Sequence, residues 1–109
     1  MIKITIYENS EQEYTAFHCI GHAEYADAGE DIVCAAVSVL VLNTINSIEM
    51  LLSDEFDLRT NQESGLIDFS LRKGYSSESL LLIRSLVLGL QGIQKSYGTD
   101  YVTLTFKEV

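Results

Sequence analysis

The amino-acid sequence predicts a single α+β domain spanning residues 1–109, of element order ββαββαβ, in which a mixed or antiparallel sheet packs with two helices. Three observations lead there. Several short segments alternate apolar and polar residues with period two, as in IKITIY at 2–7 and GLIDFSLR at 65–72. Two longer segments carry apolar residues at spacings of three and four, the pattern of a helix that buries one face. The switches between these periods fall at turn-forming clusters such as ENSEQ and NQES. A length of 109 residues suits one hydrophobic core and is too short for two ordinary domains.

Taken in order, residues 2–7 and 13–20 (EYTAFHCI) form a predicted hairpin across ENSEQ. Gly21 ends the second strand. Residues 22–31 show no useful periodicity, carry Gly29 as a flexible point, and are expected to form a surface loop. From Val33 the stripe Val33, Val37, Leu40, Thr44, Ile48 and Leu51 predicts a helix to about residue 53. Asp31 stands where an N-cap would, its carboxylate accepting the free N–H of Val33 or Cys34, and this places Cys34 in the first helical turn.

EFDLRT (55–60) and GLIDFSLR form a second hairpin around NQES. SSES (76–79) supplies the cap and early glutamate of a second helix, striped by Leu80, Ile83, Val87, Leu90 and Ile93 and stopped at Gly98. Leu81 and Leu88, seven apart, sit to one side of that stripe, as core against the sheet edge or as a surface for self-association. DYVTLTFK is the closing strand.

The formal net charge is -9, from 16 acidic residues against 7 Lys and Arg. Direct nucleic-acid binding is disfavoured, since phosphate neutralisation needs a basic face, whereas a basic peptide is attracted. The N-terminus alternates like a strand and lacks the apolar stretch and cleavage site of a secretory signal. The dense apolar runs IVCAAVSVLVL and LLLIRSLVLGL are shorter than a bilayer span. No membrane association and a cytoplasmic location are therefore expected. Cys19 and Cys34 are expected as free thiols, as in a reducing compartment. A zinc site from His18, Cys19, His22 and Cys34 is disfavoured, because His18 and Cys19 point to opposite faces of a strand and no CxxC pair exists.

A cysteine becomes a nucleophile where its thiolate is stabilised, and a helix N-terminus does this through unpaired N–H groups and the dipole. Asp31 opposes that effect by its charge. An imidazole settles the contest: His22, separated from Cys34 by one loop, reaches it if the strand end and the helix mouth adjoin. On position alone the two residues are equally a loop histidine and a core thiol. Ser38 lies one turn after Cys34 on the same side of the helix.

The run Gly21-His22, Gly29, Asp31, Cys34 and Ser38, in that order within GHAEYADAGEDIVCAAVSVL, resembles the ribosomal-processing cysteine protease family, and the ββαββαβ outline extends the resemblance over the chain. The resemblance implies a cytoplasmic, homodimeric, cofactor-free cysteine endopeptidase with no metal. Its substrate would be large-subunit ribosomal protein L-twenty-seven, cut after an aromatic residue to remove an N-terminal extension. His22 would be the general base and acid, Cys34 the nucleophile, and Asp31 a helix cap or an orienting group for His22, with Ser38 in support. Gly21, Glu24, Tyr25, Asp27, Gly29 and Glu30 would form a lid over the substrate, whose acidic residues attract a basic ribosomal-protein tail and whose Tyr25 closes over an aromatic side chain. The alternatives are a non-catalytic ribosome-assembly or basic-peptide-binding module, and a redox sensor that uses Cys19 and Cys34.

Overall fold

The computed structural model describes residues 1–21 and 28–109, with 28–31 described by their backbone alone. The elements are β1 (Ile2–Glu8), β2 (Tyr14–Ile20), α1 (Ala28–Leu51), β3 (Phe56–Asn61), β4 (Leu66–Leu71), α2 (Ser77–Tyr97) and β5 (Val102–Glu108). This is the predicted ββαββαβ order. The five strands form one mixed sheet of order β3-β4-β2-β1-β5. β1 runs parallel to β5 and antiparallel to β2, while β4 pairs antiparallel with both β2 and β3.

Strand alternation selects the buried face. Ile2, Ile4 and Ile6 of β1, Phe17 and Cys19 of β2, Phe69 and Leu71 of β4, and Val102 of β5 enter one core with the buried stripes of both helices. Phe17 and Phe69, paired in register, stack with centroids 4.8 Å apart. A bulge at the end of β1 changes the phase: Tyr7 pairs with Ala16 but Glu8 with Tyr14. The extra residue turns Tyr14 to the side of Phe106, with ring centroids 5.8 Å apart. On the opposite face, register aligns Arg59, Asp68, His18 and Thr5. Asp68 there accepts from Arg59 at 3.0 Å and lies 3.3 Å from His18 Nδ1. These hydrogen bonds, Arg59 foremost, lower the Asp68 pKa. His18 is thus a partner on the open face, whereas Cys19 is buried, so the predicted opposition of the two residues holds.

Both hairpins and α2 are fixed by short polar side chains. Asn9 Oδ1 accepts from the backbone N–H of Glu11 and Glu13, and Asn61 Oδ1 from those of Glu63 and Ser64. Ser76 caps α2, as SSES predicts, by accepting from Ser79 N at 3.2 Å, and Gly98 ends the helix with φ 84°.

Helix α1 differs from the expectation. It begins at Ala28, so Asp31 lies inside the first turn and is not the N-cap, and residues 28–31 are helix and not loop. Apolar spacing in the sequence begins only at Val33, which is why it placed the start too late. The dense run IVCAAVSVLVL is shorter than a bilayer span, as expected, but the helix that contains it is longer. Ile32–Leu51 is 20 residues long with mean hydropathy 1.7, enough to cross a membrane by length and composition, a test that the core helix of a soluble protein also passes. The helix continues past the dense run through uncharged Asn43, Thr44, Asn46 and Ser47, and Val33, Val37, Val41, Ile45 and Ile48 are buried in the core shared by the sheet and both helices. Leu81 and Leu88 are 63% and 71% exposed, which rules out the core reading for both.

Candidate active site

The site is a groove of about 470 Å³ between α1 and the β3–β4 hairpin, and Cys34 and Gly21 line it together. Its floor is apolar, with Ile2 at the start of β1 and Cys19 near the end of β2. Val37, Ser38, Val41 and Leu42 of α1 form one wall, and residues between Thr60 and Ile67 form the other.

Gly21 is fixed by its backbone. Its φ is 101°, a conformation glycine adopts without strain, and a Cβ at this position would collide with the Met1 carbonyl oxygen. Its N–H donates to Ser64 O at 3.0 Å. The end of β2 is thereby clamped between the chain start and the second hairpin, beside the groove. Asn61 holds the tip of that hairpin through its two backbone hydrogen bonds. Sequence reasoning missed this wall and the floor at Ile2, because their approach depends on β2 pairing with β4. A legible signal was the glycine at 65, which adopts φ 66° in the tight turn.

Cys34 is half-buried and packs against the core. As the seventh residue of α1 it lies in the second turn and not the first. The helical ladder directs an N–H at this depth to the carbonyl four residues earlier, so it is not a free oxyanion donor. The helix dipole also fades beyond the first turn, which leaves the thiol less help from α1 than the sequence suggests. Ser38 is exposed in the groove one turn after Cys34, as expected. Cys19 is a different thiol: it is 4% exposed, and burial pushes its pKa up to about 12.

The structure therefore brings together Gly21, Cys34 and Ser38. His22, Glu24, Tyr25 and Asp27 lie outside the described residues. Gly29, Glu30 and Asp31 are placed in the first turn of α1 by their backbone, with Asp31 three residues before Cys34.

Known proteins match this architecture throughout. The family model for cysteine protease Prp matches residues 1–103. The ribosomal processing cysteine protease Prp of Bacillus subtilis is 29% identical over 101 residues, covering 89% of this chain and 90% of its own length. Its Staphylococcus aureus counterpart is 28% identical over 98% of this chain and 100% of its own. The crystal structure of the S. aureus protease with a substrate peptide superposes with TM-score 0.90 at 27% identity, covering 98% of this chain and 100% of that one. A second S. aureus structure, with a covalently linked product peptide, has TM-score 0.88 at 28% identity and the same coverage. The chain belongs to the cysteine protease Prp family and is a cysteine endopeptidase.

Proposed function

We propose that this enzyme removes the N-terminal extension of large-subunit ribosomal protein L-twenty-seven by cutting after an aromatic residue, with Cys34 as nucleophile and His22 as general base and acid. The observation that carries the reading is Cys34 half-buried in an apolar groove beside Gly21, the residue preceding His22. It is one of two free cysteines, and the other is buried. The relatives named as ribosomal processing proteases supply the substrate class.

In the proposed cycle His22 takes the Sγ proton of Cys34, and the thiolate attacks the scissile carbonyl carbon. The tetrahedral intermediate collapses as the C–N bond breaks, and His22 donates its proton to the leaving amine. Water, deprotonated by His22, then attacks the thioester and releases the extension with a new carboxylate while the proton returns to the thiolate. Asp31 orients His22 or tempers the thiolate, and Ser38 offers a hydroxyl to the bound chain. The oxyanion donor is sought among groups other than the Cys34 N–H, which belongs to the helical ladder.

Glu24, Asp27 and Glu30 draw in the basic tail that follows the extension, helped by the net charge of -9, and Tyr25 covers the aromatic side chain. The protein acts in the cytoplasm as a homodimer. The exposed Val39, Met50, Leu81 and Leu88 on the two helices support self-association, because burying them against a second copy removes apolar surface from water. Sedimentation of Leu88→Asp as a monomer supports this surface, and an unchanged oligomer excludes it.

The test is incubation of purified extended L-twenty-seven with the enzyme and with Cys34→Ala, read by intact mass. One cut lost in the variant establishes the assignment. Binding by both forms with no cut in either removes L-twenty-seven as the substrate.

A further inference from the structure

The groove continues well past the thiol. Along α1 it passes from Cys34 over Val37, Ser38 and Val41 to Leu42. Eight residues of helix rise about 12 Å, and an extended peptide advances about 3.3–3.4 Å per residue. A chain lying in the groove with its scissile carbonyl at Cys34 therefore brings its third or fourth residue from the cut level with Leu42. From Cys34, the α1 lining runs toward the C-terminal end of the helix, through Val37, Ser38 and Val41 to Leu42. On α1 this end presents Val41 and Leu42, and Leu42 remains 48% exposed.

We infer that Leu42 forms the end of a remote apolar subsite, which selects a bulky aliphatic or aromatic side chain three or four residues from the scissile bond, on one side of it only. The occupant is the substrate's own chain, because the groove is continuous with Cys34. The inference rests on the protease reading above. The aromatic side chain proposed at the cut is one apolar contact. A second apolar contact about 12 Å away adds discrimination, because a polar side chain there loses its water without gaining a partner. One hydrophobic pocket discriminates by roughly 10–200-fold.

The experiment takes a peptide spanning the cleaved bond of L-twenty-seven, places Leu or Asp in turn at each of the four positions on either side, and measures kcat and KM for the enzyme and for Leu42→Ser. The expected result is a drop in kcat/KM of about tenfold or more, carried mainly by KM, for Asp at the third or fourth position on one side alone. Leu42→Ser should erase most of that preference, and Leu42→Met should restore it. Equal melting temperatures show that the variants fold, as a half-exposed position allows. Indifference of the parent enzyme at these positions, or full preference in folded Leu42→Ser, overturns the subsite. Calorimetric binding to Cys34→Ala separates the two readings: the same preference in binding, with no cleavage by the parent chain, supports the subsite and sinks the assignment of L-twenty-seven as the substrate. Peptides neither bound nor cut overturn both.

Discussion

Ser79, fully buried in the first turn of α2, donates its hydroxyl to Asp54 Oδ2 at 2.6 Å. The same oxygen accepts from the N–H and the hydroxyl of Ser76, at 2.6 and 2.7 Å. One carboxylate after α1 thus fastens the start of α2. These bonds, led by the Ser76 N–H, hold the Asp54 carboxyl below the usual carboxylate range. Asp54→Ala leaves the Ser79 hydroxyl without its acceptor in the core and should cost about 1–3 kcal/mol in denaturant unfolding. The acidic limb has a definite sign. A folded pKa below the unfolded value of about 3.9 stabilises the fold above that value, and the contribution is lost as pH falls through the folded pKa. The stability gap between the parent chain and Asp54→Asn should therefore narrow below about pH 4, and a gap independent of pH would refute the role of the charge.

Gly21 tests whether the groove depends on the clamp at the end of β2. Alanine there meets both a left-handed backbone and the Met1 carbonyl oxygen, a strain on the order of 1–3 kcal/mol. The strand end must shift, and it borders the groove that holds Cys34. Gly21→Ala should therefore lower peptide cleavage at temperatures where circular dichroism still reports a folded chain. Undiminished kcat/KM in a folded variant would show that the clamp does not position the site.

The fold was legible in the sequence where one local rule sufficed. Period-two runs marked β1, β3 and β4, and SSES with Gly98 marked both ends of α2. The start of α1 was not, because its first turn precedes the apolar spacing of the sequence, and the lack of that spacing over 28–31 looked like loop. Cys34 and Ser38 followed from helical spacing and share the groove. The hairpin wall did not, since the sheet order that brings Asn61 and Ile67 toward β2 is a nonlocal choice. Leu81 and Leu88 were ambiguous because an apolar residue beside a helical stripe has the same spacing whether it meets the sheet or solvent.

Two glycines of α2 give an internal comparison. A Cβ at position 89 would lie 2.8 Å from Leu40 Cδ1, whereas one at 92 meets nothing within 4 Å. Gly92→Ala gains helix propensity unopposed and should stabilise by about 0.5–1 kcal/mol, raising Tm by roughly 2–8 °C. Gly89→Ala gains the same propensity but must displace the end of the Leu40 side chain, so its net gain should be smaller. Gly89→Val should destabilise, since its branches cannot avoid Leu40. Calorimetric melting orders the three variants, and equal gains at 89 and 92 would mean that close helix contact places no demand on Gly89.

The two thiols should separate cleanly under alkylation. Cys34 is half-buried and opens on the groove, while Cys19 is 4% exposed with its pKa pushed up to about 12 by burial. A thiol must ionise and be reached by the reagent to react, and Cys19 fails on both counts in the folded protein. Iodoacetamide at neutral pH should therefore add one group to the native chain, at Cys34, with a second added after unfolding in guanidinium. Cleavage of L-twenty-seven should fall in step with the first addition, and Cys19→Ala should keep the single native adduct. Rapid labelling of Cys19 in the native chain would mean that the floor of the groove opens in solution. Cleavage that survives complete modification of Cys34 would remove that residue from the chemistry.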